Sequence, residues 1–103
     1  MANPMKVRAR LVDGSTEVKV LMSHPMETGL RKNDKGEAVP AHFIRQVSVT
    51  HGERVVFAAQ FGPAVSANPF LAFRFQGGER GERVRVTWQD NLGDARTDEV
   101  MIS

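Results

Sequence analysis

An antiparallel β-sandwich of immunoglobulin or fibronectin type III character is what this 103-residue chain predicts, on three observations. Apolar residues recur at every second position, turn-forming dipeptides separate the runs, and no stretch carries the 3.6-residue period of an amphipathic helix. A disulfide-bearing antibody-type domain is excluded, because the chain has no cysteine.

The elements follow in order. Met5, Val7, Ala9 and Leu11 share one face of the first strand, with Lys6, Arg8 and Arg10 on the other. Asp13-Gly14 is a tight-turn dipeptide, so Val18, Val20 and Met22 complete a hairpin. Val47 and Val49 alternate with Ser48 and Thr50 in strand three, His51-Gly52 turns, and Val55, Phe57, Ala59 and Phe61 align in strand four. Leu71, Phe73 and Phe75 give strand five, which Gly77-Gly78 and Gly81 interrupt. Val84, Val86 and Trp88 face inward in strand six against outward Arg83, Arg85 and Thr87. After the turn at Asp90-Asn91-Leu92-Gly93-Asp94, Val100 and Ile102 close a seventh strand. This is a seven-stranded single domain over residues 1–103, without internal repeats.

Charge excludes further classes. Fourteen Lys and Arg stand against twelve Asp and Glu, a net +2, yet the pI is about 9.5. Without Tyr or Cys nothing titrates between His and Lys, so the small surplus persists until lysines deprotonate near about pH 10. Glu79-Arg80, Glu82-Arg83 and Asp98-Glu99 mix the signs, which implies a solvated mixed-charge surface and no nucleic-acid partner. The N-terminus lacks the apolar core of a secretory signal, and no run nears the roughly 20 apolar residues of a membrane span. The expectation is a protein of the cytoplasm, or one exported together with a partner that owns the signal.

Two segments do not fit a bare sandwich. Residues 23–42 form a 20-residue connection, longer than the usual four to six, and its middle, Arg31 to Gly36, is charged and rich in turn formers, with nothing to tether it to a core. Gly62-Pro63-Ala64-Val65-Ser66-Ala67-Asn68-Pro69 carries no charge, and if exposed would be an association surface. The period-two rule sends Phe70 to the face opposite Leu71, Phe73 and Phe75; it either anchors a partner or folds under its own loop.

Catalytic chemistry finds little support. His24, His42 and His51 have no compact metal-ligand spacing. Asp90 and Asp94 read as turn formers that accept local backbone N–H groups. Gly77-Gly78-Glu79-Arg80-Gly81 lacks the Lys-Ser/Thr ending of a phosphate loop. Met22, His24 and Met26 raise a Cu(I) site, since thioethers and imidazole suit that ion, but core packing by soft methionine side chains is the plainer reading. The residues therefore describe a binding module, with no catalytic residue, metal or cofactor expected.

The irregular segments also carry a specific likeness. Val20-Leu21-Met22-Ser23-His24-Pro25-Met26-Glu27-Thr28-Gly29, Pro40-Ala41-His42-Phe43-Ile44, Gly62 to Leu71, and Trp88-Gln89-Asp90-Asn91-Leu92-Gly93 with Asp98-Glu99 resemble, in order, the signature blocks of the SoxZ family of thiosulfate oxidation. Phe61 departs from the Trp expected before Gly62-Pro63, and keeps an aromatic there. The resemblance implies a non-catalytic subunit paired with SoxY, whose Gly-Gly-Cys-Gly-Gly arm carries sulfur intermediates covalently while periplasmic enzymes process them. It also implies export to the periplasm with a signal-bearing SoxY, transient contact with other Sox enzymes through the carrier complex, and no membrane partner. Alone, such a chain would leave an interface in water and self-associate, for instance as a homodimer. Val65, Asn68 and Phe70 are the expected partner contacts, with His24 and Met26 as weaker ones. A generic sandwich interaction module and a small periplasmic copper-handling domain are the alternatives.

Overall fold

The computed structural model describes residues 2–103. Seven strands follow in sequence: β1 (Lys6–Val12), β2 (Ser15–Leu21), β3 (Ile44–His51), β4 (Arg54–Gln60), β5 (Phe70–Gln76), β6 (Arg83–Asp90) and β7 (Ala95–Met101). They form a three-stranded sheet, β1-β2-β5, and a four-stranded sheet, β4-β3-β6-β7, with every pairing antiparallel. This is the all-β, immunoglobulin-like sandwich that the alternation demands. The chain passes between sheets three times, from β2 to β3, from β4 to β5 and from β5 to β6; the two irregular segments are the first two of these crossovers and lie at the same end of the molecule.

The inward side chains are those the period-two pattern selects. Val18, Val20, Val47, Val49, Val84, Val86 and Trp88 are essentially inaccessible, joined by Met22, Ile44 and Ile102. Each Val removed from water contributes on the order of 1.5 kcal/mol or more. These are β-branched residues suited to a pleated surface, so local preference and burial agree.

Strand four departs from the simple pattern. Val49 pairs with Phe57 but Thr50 pairs with Val55, leaving Val56 as an extra residue. Such a bulge reverses the alternation beyond it. Val55, expected to face inward with Phe57, instead lies outside beside Thr50 and is 59% exposed.

The sandwich is clasped on one side and open on the other. Beyond β7, the Ser103 N–H donates to Ala9 O and the Leu11 N–H donates to Ser103 O, both at 3.0 Å, so the chain end spans from one sheet to the edge of the other. On the opposite side the edge strands β4 and β5 meet through half-buried side chains, with the Phe57 and Phe73 rings stacked at 4.7 Å.

Residues 31–38 make a small exposed hairpin of their own. The Val39 N–H donates to Arg31 O, and Asn33 Oδ1 accepts the N–H groups of Lys35 and Glu37. The Arg31 guanidinium ties it to Glu27 at the base of the connection, at 3.0 Å, and the Asn33 side chain organises its tip. This arm and the strand direction stretch the molecule to 53 × 21 × 19 Å. Among the described residues no helix is long and apolar enough to cross a membrane.

Candidate functional site: the loop end of the sandwich

Four segments distant in sequence are tied together at the end where the crossovers lie. Glu27 and His42 exchange backbone hydrogen bonds, 2.6 Å from Glu27 N–H to His42 O and 3.0 Å in return, which closes the long connection at its base. The β6–β7 turn then grips this base. Asn91 Oδ1 accepts the Phe43 N–H, Asn91 Nδ2 donates to Ala41 O, and the Asn91 N–H donates to Phe43 O. The second crossover is held by Asn68: its Oδ1 accepts the His24 N–H at 3.1 Å and its own N–H donates to His24 O at 2.9 Å. Asn68 sits at φ 52, a left-handed conformation that Asn tolerates better than most residues.

Asp90 lies at the centre. Its Oδ1 accepts the N–H groups of Leu92 and Asp94, the turn-forming role expected of it. Its Oδ2 accepts two imidazole donors, from His24 Nε2 at 3.1 Å and His42 Nε2 at 2.7 Å. Burial pushes this carboxyl up, but the donors from His24, His42, Asp94 and Leu92 outweigh burial and hold it below its ordinary 3.8. His24 also packs edge-on against Trp88 and His42.

His24, His42 and Asp90 form the donor set that could hold a metal, with their ligand atoms within 4.8 Å of one another. The hydrogen bonds argue otherwise. His24 Nδ1 accepts the backbone N–H of Met26 at 3.1 Å, so that nitrogen bears the lone pair and the ring proton sits on Nε2. Nε2 is the nitrogen that faces Asp90; it donates there and has no lone pair for an ion. His42 Nε2 donates to the same oxygen, and even with its proton moved to Nδ1 only His42 and Asp90 would remain, two donors where a zinc site needs at least three. The copper reading loses its ligands as well. Met22 and Met26 are core side chains, 1% and 5% exposed, and the Ile44 N–H points at Met26 Sδ at 3.3 Å. The adjoining cavity of about 190 Å³ is smaller than ligand pockets usually are.

The side chains singled out from sequence thus fall into two groups. Phe70 is 64% exposed on the outer face of β5, beside Leu21 at 39%, and does not fold under its loop. Val65 is half-buried against the core, and Asn68 is solvent-accessible while holding His24. His24 and Met26 are interior: their side chains satisfy Asp90, the Met26 N–H and the Ile44 N–H, and offer a partner no surface. The pairing of His24 and His42 on one carboxylate oxygen escapes sequence reading. The only hint is that all three residues fall within the idiosyncratic blocks.

Among solved structures, the superoxide reductase (neelaredoxin) from Ignicoccus hospitalis superposes with a TM-score of 0.67 at 16% identity, covering 99% of this chain and 80% of that one. A superoxide reductase in its oxidized state gives 0.66 at 15% identity, covering 99% of this chain and 89% of the other. A variant of the Archaeoglobus fulgidus superoxide reductase (neelaredoxin) in reduced form gives 0.63 at 20%, covering 97% and 86%. At such identities the likeness is one of fold. No curated protein sequence matches the chain. Residues 5–101 match the family model described as sulphur oxidation protein SoxZ. This match takes in β1 to β7, both crossovers and the Asp90 clasp between them, and with it the chain belongs to the SoxZ family, a family of sulfur oxidation whose members are not enzymes.

Proposed function

We propose that this chain is the SoxY-binding half of a periplasmic carrier of covalently bound sulfur intermediates. The observation that carries the reading is the family match over residues 5–101. The missing cysteine supports the same division of labour: the cargo thiol belongs to SoxY, and no second thiol in this chain diverts the cargo by exchange. Export to the periplasm occurs with a signal-bearing SoxY, and the other Sox enzymes meet this chain within the assembled carrier.

SoxY is contacted through Val65, Asn68 and Phe70, with His24 and Met26 fixing the crossovers from behind. Phe70 and Leu21 face each other across β5 and β2 and form an apolar pair in water. The uncharged Gly62 to Pro69 segment adjoins them, and its two prolines lower the entropy lost on docking. Titration calorimetry of purified Phe70→Ala against SoxY tests the reading. The variant keeps its melting transition and binds about tenfold or more weakly, the loss typical of an aromatic anchor. Unchanged affinity for SoxY removes Phe70 from the interface, and an intact chain that does not bind SoxY at all overturns the reading.

A further inference from the structure

The register of the three-stranded sheet sorts charge in a way the sequence conceals. Read across β1, β2 and β5, its outer face consists of the rows Lys6–Leu21–Phe70, Arg8–Lys19–Ala72, Arg10–Glu17–Arg74 and Val12–Ser15–Gln76. Five of the chain's fourteen basic residues lie on this face with one of its twelve acids, so nine bases and eleven acids remain for everything else. The charge is mixed along the chain, but here it is segregated. The rest of the molecule is slightly acidic and this face carries a surplus of four positive charges.

The face also contains an internal example of what it holds. Glu17, whose side chain is 18% exposed, lies among Arg74 at 3.1 Å, Arg10 at 3.5 Å and Lys19 at 3.8 Å, whose own side chains are 55–67% exposed. The carboxylate anchors the bases of the patch and leaves their remaining donors facing solvent. Lys6 and Arg8 have no ion-pair partner among the described residues. A groove of about 350 Å³ runs alongside, lined by Arg8, Arg10, Glu17, Lys19, Val100 and Met101.

We propose that the outer face of the β1-β2-β5 sheet is a docking surface for an acidic protein segment, with Lys6, Arg8, Lys19 and the outward donors of Arg10 and Arg74 as its carboxylate partners. A polynucleotide fits less well. Its binding rests on neutralising a run of phosphates, commonly six to ten, whereas this patch offers five cations, three of them partly neutralised by Glu17. Base stacking calls for aromatic rings among the cations, and the one aromatic here, Phe70, occupies the end row. Discrete carboxylates match the interspersed guanidinium and ammonium groups of this face. The proposal requires nothing of SoxY and is tested on this chain alone.

The experiment uses the full chain and a fluorescein-labelled oligoglutamate peptide, followed by anisotropy, with amide NMR shifts locating the contact. Binding is expected to be saturable, to weaken with added salt, and to shift resonances in β1, β2 and β5. The double reversal Lys6→Glu with Arg8→Glu breaks no ion pair among the described residues and weakens binding about tenfold or more. The same charge change in the exposed hairpin, Lys32→Glu with Lys35→Glu, alters it by no more than about twofold. Equal losses in both variants, or shifts scattered over the surface, would reduce the effect to net charge and overturn the proposal. Tighter binding of oligothymidine or of phosphatidylglycerol vesicles to the same face overturns it too, in favour of a nucleic acid or a membrane.

Discussion

His24 donates through Nε2 to Asp90 Oδ2 across 66 positions of sequence, in a contact where both side chains are almost wholly buried. The bond closes the loop end of the sandwich, because His24 is itself held by Asn68 and Asp90 by the β6–β7 turn. Replacing Asp90 by Asn keeps an oxygen for Leu92 and Asp94 but turns an N–H₂ group toward two imidazole N–H donors. The expected loss is about 3 kcal/mol, read as the change in urea-unfolding free energy, since the buried His24 donor is left without an acceptor. A cost below about 1 kcal/mol would mean that the imidazoles find other partners.

The tautomer is itself measurable. Nitrogen chemical shifts should place the His24 proton on Nε2, with Nδ1 bearing the lone pair that receives the Met26 N–H. Protein purified without a tag and dialysed against zinc or copper is expected to retain neither stoichiometrically. Stoichiometric metal together with loss of the Nε2 proton signal would contradict the assignment.

Asn68 separates backbone strain from side-chain bonding. Asn68→Gly loses the acceptor for His24 N–H but is at ease at φ 52, for a cost of about 1 kcal/mol. Asn68→Ala loses the same bond and adds the penalty of a left-handed Cβ, for about 2 kcal/mol in total. Thermal melting of the pair checks the order.

Gly78 and Gly81 offer a second matched pair, at φ +89 and +90. A Cβ on Gly78 would overlap the Thr16 hydroxyl and come within 3.0 Å of Ile102 Cδ1, whereas one on Gly81 meets nothing within 4 Å. Thr16 cannot yield easily: it is fully buried and its hydroxyl donates to Gly77 O at 2.8 Å. Gly78→Ala is expected to cost about 3 kcal/mol and Gly81→Ala about 1 kcal/mol in denaturant unfolding. Equal costs would show that the β5–β6 turn relaxes away from Thr16.

Acid should loosen the fold through two carboxylates. The Arg96 guanidinium beside Asp98, joined by the Met5 N–H, holds that carboxyl below its ordinary 3.8, and the donors around Asp90 do the same there. A depressed folded value means stability that is complete above the unfolded value and lost as pH falls through the lower, folded one. The urea midpoint is therefore expected to drop below about pH 3.8, and to drop less steeply in Asp98→Asn.

Strands were legible because burial in a sandwich repeats with period two, and Val18, Val49 and Val86 announce themselves by what stands on either side. Val55 misled because a bulge at Val56 leaves no mark in an alternating run. The interior position of His24 and Met26 depends on tertiary partners, Asp90 and Ile44, that no local pattern names. Charge was misread for a related reason. Neighbours in sequence mix signs around Glu79 to Arg83, while Arg8, Lys19, Arg10 and Arg74 become neighbours only through cross-strand register.

The Ser103 clasp makes the molecule one-sided. With the β1 edge engaged at Ala9 and Leu11 and the Met5 N–H bonded to Asp98 of β7, that side is tied across the two sheets, while on the other the Phe57–Phe73 stack between β5 and β4 lies half-covered. An object with two opposite adhesive edges propagates as a filament, whereas one with a single adhesive edge is a chain terminator. Self-association through that side should stop at two copies, and a second protein that takes it competes directly with that pair.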